Sequence, residues 1–284
     1  MAIYHLSVKP VSRSSGRSSV AAAAYRSADK LHNLRDGVTH DYTRRQGVEH
    51  SEIVLPKETK AEWAKDREKL WNAAELSEKR KDARVAREIE IALPHELNTE
   101  ERLALTREFS QHLADRYKVA VDFAIHKPHD SSDERNFHVH ILMTTREVNE
   151  SGLGEKSLIE KENKWLLNNN YPTAKMQIQE IRQQWSQLSN LALERKGLDV
   201  RIDHRSFEDQ GIELAPTQHI GISASEMQKR GVSTQRQSIT REDAALNAKV
   251  IQENPEELFR IITNEKSVFD RRDVAKTVHR YTDN

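Results

Sequence analysis

Two histidines stand one residue apart in an apolar run, residues 136–143, which reads Asn-Phe-His-Val-His-Ile-Leu-Met. Alternate side chains of a β-strand point to opposite faces, so this run predicts a strand that presents His138 and His140 side by side. Residues 119–126 predict a partner strand that ends in a third histidine, His126. Three neutral imidazoles on neighbouring strands suit a divalent transition metal, although most closely spaced histidine pairs are structural. The spacing alone therefore leaves a metal site and a structural role open.

A metal held by neutral histidines keeps its full positive charge, which suits the polarisation of a phosphate oxygen. Because the chain has no cysteine, a covalent attack on phosphate would fall to serine, tyrosine or histidine. Tyr25 lies in residues 1–28, which contain no acidic residue and four basic ones, Lys9, Arg13, Arg17 and Arg26. The pKa of a free phenol is about 10, so Tyr25 would need a base, cations or a polarised target to react. Without that support it is a packing residue on an alanine-rich helix.

A second basic cluster ends a predicted helix that runs from residue 59 to about residue 84. Arg80, Arg84 and Arg87 would lie on one face of this helix, as phosphate contacts would. The whole chain carries 45 basic and 45 acidic residues, so only such local asymmetry indicates an anionic partner. For both basic clusters the alternative interpretation is a solvated charged surface.

Length and composition bound the remaining possibilities. A chain of 284 residues with 36% hydrophobic content can form one large domain and an appendage. The absence of cysteine excludes disulfides and thiol nucleophiles. No secretory signal opens the chain, and no apolar run approaches the roughly 20 residues of a membrane span. These features predict a cytoplasmic protein without a membrane segment.

Other patterns supply the elements that would position these residues. Strands are predicted over residues 2–9 and 87–94, and helices over residues 18–28, 59–84 and 173–196 and after a cap at Asn98. Residues 29–50 and 149–172 predict no regular structure, and residues 200–205 predict a short strand or an extended segment. The order favours an α+β two-layer sandwich with a mainly antiparallel sheet, helices on one face and the metal site on the other. A composition shift predicts domains over residues 1–225 and 226–284, the second with three helices.

A series of ordered motifs resembles the MobA/MobL-type (MOBQ) conjugative relaxases, which are plasmid-mobilisation nickases of the histidine-hydrophobe-histidine (HUH) superfamily. The resemblance extends over residues 1–222 and rests on these segments: residues 1–7, Ser12-Arg13-Ser14, Ala23-Ala24-Tyr25, and residues 71–75, 87–94, 124–126, 136–143, 201–206 and 210–212. It implies the HUH fold and a site- and strand-specific DNA nickase. Such an enzyme cuts one strand at an origin of transfer and can rejoin it.

The resemblance also implies roles for individual residues. Tyr25 would be the nucleophile that forms a 5′-phosphotyrosine intermediate. A divalent metal, Mn²⁺ or Mg²⁺ with Zn²⁺ as an alternative, would be bound by His126, His138 and His140. The family's site carboxylates match Glu88, Glu90 and Glu96, of which Glu90 is the favoured base and Glu96 the alternative that orients a histidine. Basic contacts to DNA would come from Arg13, Arg17, Arg26, Arg80, Arg84 and Arg87.

The implied partners are single-stranded or hairpin origin DNA, relaxosome accessory proteins and a coupling protein, for an enzyme that acts as a monomer. Residues 254–259 and 269–281 resemble the segment that opens the helicase part of large TraA-type relaxases. Because no phosphate-binding G-x-x-x-x-G-K-[ST] motif is present, we expect either a truncation of a longer relaxase-helicase, which we favour, or a relaxase that lacks its helicase. Three alternatives stay open: a replication-initiator nickase, a metal-dependent hydrolase that uses water, and a DNA-binding module with structural histidines.

Overall fold

The computed structural model describes residues 4–128, 135–206, 208–215, 235–265 and 269–282. The strands are β1 (Leu6–Ser12), β2 (Lys30–Asn33), β3 (Val38–Asp41), β4 (Val48–Val54), β5 (Arg84–Ala92), β6 (Val121–His126), β7 (His138–Met143), β8 (Arg146–Asn149) and β9 (Gly152–Lys156). The helices are α1 (Ser19–Ser27), α2 (Arg67–Ser77), α3 (Thr99–Tyr117), α4 (Asn163–Asn168), α5 (Ala174–Arg195), α6 (Gln235–Glu253), α7 (Glu256–Glu265) and α8 (Arg271–Tyr281).

The core of the larger unit is a five-stranded sheet with the strand order β1-β5-β7-β6-β4, in which every neighbouring pair is antiparallel. The strand that carries the two histidines, β7, is therefore the central one. Pro10 is tolerated in β1 because this edge strand needs fewer backbone donors than a central strand. The predicted α+β fold with a mainly antiparallel sheet is confirmed.

Helices α3 and α5 pack on the face of the sheet that lies away from the histidines. Glu52 is the register partner of Phe123, so the two side chains share a face, and Arg107 of α3 lies 2.8 Å from the Glu52 carboxylate. Phe109 of α3 contacts Trp185 of α5 edge to face, with ring centroids 5.1 Å apart. The other face has partial cover that the prediction did not include, since the short helices α1 and α2 pack there.

The buried carboxylate of Asp122 ties α2 to the histidine face. Trp71 Nε1 donates a hydrogen bond of 2.8 Å to this carboxylate, and Arg67 forms an ion pair of 2.9 Å with it. Helix α1 packs closely against the sheet because most of its apolar residues are small alanines, among which Ala23 and Ala24 are buried.

The prediction of one helix over residues 59–84 is wrong. Helix α2 begins after Asp66, whose side chain accepts from Lys69 N, and ends at Ser77. Arg84 and Arg87 instead belong to β5, which pairs with both β1 and β7. Helix propensity favoured a continuous helix here, but tertiary pairing of the strand prevails. The proposed helical face of Arg80, Arg84 and Arg87 therefore does not exist.

Two segments that were predicted to be irregular contain structure. Residues 29–50 form the hairpin β2–β3 and the start of β4, and residues 149–172 contain the end of the hairpin β8–β9 and helix α4. The β2–β3 turn is closed by Asn33, which donates to Asp36, and by Gly37 at a φ of +71°. These strands are short and polar, so their periodicity gives no signal. Residues 200–205, predicted as a short strand or an extended segment, form no strand and no helix.

The chain divides into two compact units, Met1–Lys196 and Gly197–Asn284. The second unit contains α6, α7 and α8, so the three predicted helices are present. Its apolar cluster includes Ile212, Ile261 and Tyr281. The Asn247 side chain accepts from Ala215 N at 2.7 Å and donates to Ala215 O at 2.9 Å, which anchors the connecting segment to α6. The predicted boundary near residue 225 lies outside the described residues.

A buried carboxylate holds the beginning of α1, and we expect its removal to be costly. Glu75 of α2 is fully buried and accepts from Ser19 N at 2.7 Å, while Arg13 pairs with its other oxygen at 3.0 Å. Glu75→Ala should lower the free energy of unfolding by about 3 kcal/mol or more, because it leaves the buried charge of Arg13 without its ion-pair partner. Urea unfolding would measure this loss.

The control for this prediction is Glu62→Ala, which removes an exposed carboxylate that pairs with Lys65 at 2.8 Å. This surface substitution should change the free energy of unfolding by less than about 0.5 kcal/mol. A loss below about 1 kcal/mol for Glu75→Ala would contradict the role assigned to this ion pair.

Candidate active site

The three predicted histidines meet on one face of the central sheet. β6 and β7 pair so that His126 lies opposite His138, and His140 follows on the same face two residues later. One ring nitrogen of each residue lies within 4.8 Å of the others. The ring centroids are 5.0 to 5.3 Å apart. These three residues are called the histidine cluster below.

The second nitrogen of each ring faces an acceptor. His126 Nε2 lies 2.8 Å from Arg26 O, and His138 Nδ1 lies 3.1 Å from Asn136 O. A carbonyl oxygen only accepts, so these nitrogens donate their protons and the remaining nitrogen of each ring keeps its lone pair. His140 Nδ1 lies 3.5 Å from Glu88 Oε1. Such outer partners orient histidines that bind metals, and the donor set fits a divalent metal.

Burial favours the neutral form of two of the three histidines. It lowers the pKa of His126 to about 3, and the neighbouring histidines and the Arg45 charge lower it in the same direction. Burial also lowers the pKa of His138. Neutral imidazole is the form that binds a metal, so protons do not compete for these two residues near neutral pH.

The candidate carboxylates take three different positions. Glu88 is buried and pairs with Arg26 and Arg17; burial would raise its pKa, but His140 and the two arginines hold this pKa far below the usual range. Glu90 is the register partner of His140 and is half-buried. Glu96 lies 3.1 Å from His95 Nδ1. Glu88 therefore lies beside a histidine of the cluster, and the role of Glu96 in orienting a histidine stays a prediction.

Tyr25 lies in the last turn of α1, and 45% of its surface is exposed. The ring packs edge to face against Tyr42 with centroids 5.2 Å apart. The next residue, Arg26, supplies the carbonyl oxygen that accepts from His126. One hydrogen bond thus joins the end of the tyrosine helix to the histidine cluster, although the two are 100 residues apart in the sequence.

Three of the arginines predicted to contact DNA are buried, and each forms an ion pair with a glutamate of the protein. Arg13 pairs with Glu75 and donates to three backbone carbonyls. Arg26 pairs with Glu88 and donates to Ala22 O. Arg87 is 2.5 Å from the buried Glu160. These contacts give all three a structural role.

The other three predicted arginines are more accessible. Arg17 is partly exposed and lies 2.7 Å from Glu88. Arg80 is exposed beside Asp82, and Arg84 is exposed with Glu160 at 3.9 Å. Contact of these residues with DNA stays a prediction.

One cation at the site was missed by the sequence interpretation. Arg45 lies in the turn after β3, with its Cζ atom 3.9 Å from the centroid of the Tyr25 ring. Its Nη1 donates to Tyr25 O at 2.5 Å. The residue falls in the stretch that was predicted to be irregular, where no periodicity marks it.

Comparison with known proteins identifies the family. The profile of the MobA/MobL family matches residues 17–230, which is most of the chain. The chain belongs to the MobA/MobL family. The resemblance inferred from the ordered motifs is therefore confirmed.

Similarity to individual proteins supports this family assignment. "Probable conjugal transfer protein TraA" of Sinorhizobium fredii is 38% identical over 308 residues, covering 100% of this chain and 27% of the relative. "Mobilization protein MobL" of Acidithiobacillus ferridurans is 41% identical over 253 residues, covering 81% of this chain and 65% of the relative. The chain thus spans about a quarter of the TraA relative and less than two thirds of the MobL relative.

A solved structure described as "Molecular Basis of Vancomycin Resistance Transfer in Staphylococcus aureus" superimposes with a TM-score of 0.61. It is 33% identical and covers 72% of this chain and 100% of that chain. In the part of the MobA/MobL chain that the structure describes, no helix has the length and apolar character of a membrane span.

Proposed function

We propose that this MobA/MobL chain is a site- and strand-specific DNA nickase that starts conjugative transfer by cutting one strand at an origin of transfer. Its relatives are named as conjugal transfer and mobilization proteins. The observation that carries the proposal is the hydrogen bond of 2.8 Å between His126 and the carbonyl of Arg26. It holds an exposed tyrosine at the edge of a cluster suited to a metal.

The proposed reaction is a transesterification. The Tyr25 hydroxyl oxygen forms a bond to the scissile phosphorus, and the bond from phosphorus to the 3′ oxygen breaks. The phenolic proton passes to a carboxylate, for which we assign Glu90, and the leaving 3′ oxygen keeps the electron pair and takes a proton from water. One phosphodiester replaces another, so the reverse reaction rejoins the strand with little change in bond energy.

A divalent metal fits the histidine cluster because one ring nitrogen of each residue lies within 4.8 Å of the others and burial favours the neutral form of His126 and His138. We assign it as Mn²⁺ or Mg²⁺, with Zn²⁺ as an alternative. When bound, it supplies positive charge that polarises a phosphate oxygen. Glu88 orients His140 and the Arg26 carbonyl orients His126, so both act through the metal ligands.

The proposed substrate is single-stranded or hairpin DNA near the nick, bound through backbone charges and base contacts. We infer that the protein acts as a monomer in the bacterial cytoplasm, together with relaxosome accessory proteins and a coupling protein. Residues 1–225 would form the nicking domain, and residues 226–284 would lead toward a helicase-like region.

The test is a cleavage assay with single-stranded DNA that spans the origin of transfer of the element carrying the gene. With Mn²⁺ present, we expect a covalent adduct that survives denaturant and retains a label placed at the 3′ end of the DNA. A label at the 5′ end should leave with a fragment that ends in a 3′ hydroxyl. Mass spectrometry after trypsin should find the nucleotide on the peptide of residues 18–26, which contains Tyr25.

Each part of this result can contradict the proposal. An adduct on a peptide other than residues 18–26 would remove Tyr25 from the mechanism. Cleavage without any adduct would favour a hydrolase that uses water. Adduct formation only with DNA from a replication origin would favour a replication initiator.

A further inference from the structure

The cations nearest the histidine cluster are not equally available to DNA. Arg26 and Arg17 both pair with Glu88, so their charges are already compensated by a buried carboxylate. Arg13 is compensated by Glu75. A phosphodiester that reached the cluster would therefore gain little from these arginines, because their donors and charges are engaged within the protein.

Arg45 is different. Its guanidinium lies over the Tyr25 ring at 3.9 Å, and one of its N–H groups donates to Tyr25 O. Its backbone N–H donates to Tyr42 O at 2.8 Å, and the Tyr42 ring packs against Tyr25, so the turn is held against the nucleophile from two sides. The guanidinium carries five N–H donors, and within the part of the chain that the structure describes one of them has an acceptor, Tyr25 O.

The charge of Arg45 also influences the pKa values of two histidines of the cluster. Burial is the main cause of the lowered pKa values of His126 and His138, and the Arg45 charge contributes in the same direction at both. Within the described ranges, Arg45 has no ion-pair partner. It is therefore a half-buried cation beside the tyrosine that has no ion-pair partner among the described residues.

We propose that Arg45 binds a non-bridging oxygen of the scissile phosphodiester and stabilises the charge that develops on it as Tyr25 attacks. This inference rests on the proposed function. Charge accumulates on the non-bridging oxygens as the bond to Tyr25 forms and the bond to the 3′ oxygen breaks. A planar guanidinium fork matches two such oxygens, which a lysine ammonium does not.

The test compares Arg45→Met and Arg45→Lys with Arg44→Met, which removes an exposed charge from the adjacent residue. At saturating DNA, Arg45→Met should lower the rate constant of adduct formation by about 100-fold, because it removes one preorganised donor to the transition state. Arg45→Lys should recover only part of the rate, and Arg44→Met should keep the wild-type rate. DNA affinity, measured by fluorescence anisotropy, should change by less than about threefold, since the effect lies in the transition state.

A substrate with a neutral methylphosphonate at the scissile position distinguishes contact with the phosphate from mere positioning of Tyr25. If Arg45 touches this group, the effects of Arg45→Met and of the methylphosphonate should be less than additive. Full additivity would overturn the contact. A wild-type rate for Arg45→Met, or a loss confined to DNA affinity, would overturn the proposal as a whole.

Misfolding is checked with the variant's affinity for Mn²⁺, which should equal that of the wild type. The proposed function fails in a different way, through a wild-type chain that forms no adduct or a Tyr25→Phe variant that forms one. The inference alone fails if those two results are as expected and Arg45→Met is fully active.

Discussion

Tyr25→Phe should abolish the covalent adduct, with a loss in the rate of adduct formation of at least about 10⁴-fold, because it removes the atom that forms the new bond to phosphorus. The substitution deletes one hydroxyl from a side chain that is 45% exposed. The ring contacts with Tyr42 and Arg45 do not depend on that hydroxyl. Denaturing electrophoresis of labelled origin DNA would measure the loss.

Tyr42→Phe is the matched control, because it removes a hydroxyl from the ring that packs against Tyr25 and keeps the packing. It should form the adduct at nearly the wild-type rate. Tyr25→Phe should also keep the wild-type affinities for Mn²⁺ and for DNA, which would exclude misfolding. An adduct that persists in Tyr25→Phe, or that disappears in Tyr42→Phe, would contradict the assignment of Tyr25 as the nucleophile.

The histidine cluster could be predicted because the relevant pattern is local. Alternation over residues 136–143 specifies which side chains share a face, since a shift by one residue would turn Val139 and Ile141 away from the core. Residues 119–126 form the neighbouring strand, and antiparallel pairing places His126 opposite His138. The ordered motifs then identified the family without any knowledge of the tertiary contacts.

The partners of these residues could not be predicted, because they come from distant segments. Arg26 O contacts His126, which is 100 residues away in the sequence, and Glu88 contacts Arg26, which is 62 residues away. A basic segment cannot indicate from composition alone which charges are compensated. Arg13 and Arg26 are engaged by buried carboxylates, whereas Arg45, from a stretch without periodicity, is available.

The same reasoning explains the error at residues 59–84. Their charges and apolar spacing suit a helix, and the first part becomes α2. Residues 78–83 form a loop, and β5 begins at Arg84, where Val85 and Ile89 are buried between β1 and β7. The sequence predicted a strand over residues 87–94, but local propensity did not show that the helix ends before residue 78 and that the strand begins at residue 84.

His138→Ala should lower the affinity for Mn²⁺ by more than about 100-fold, because loss of a direct ligand costs more than loss of the residue that orients one. Two nitrogens remain within reach of the ion, which is too few to hold it tightly. Adduct formation should fall by about 10³-fold, the rate equivalent of the several kcal/mol that a metal contributes to polarising the phosphate. Isothermal titration calorimetry would measure the affinity, and the electrophoretic assay would measure the rate.

Two further variants separate binding by the cluster from adsorption to surface histidines. His279→Ala removes an exposed histidine of α8 and should keep the wild-type affinity for Mn²⁺. Glu88→Gln weakens the partner of His140 without removing a ligand, so it should lower the affinity by about 10- to 100-fold, between the other two variants. This order follows from the roles of the three residues: His138 is a proposed ligand, Glu88 is the partner of a ligand, and His279 is outside the histidine cluster. Equal affinities for His138→Ala and the wild type would show that the cluster does not hold the metal.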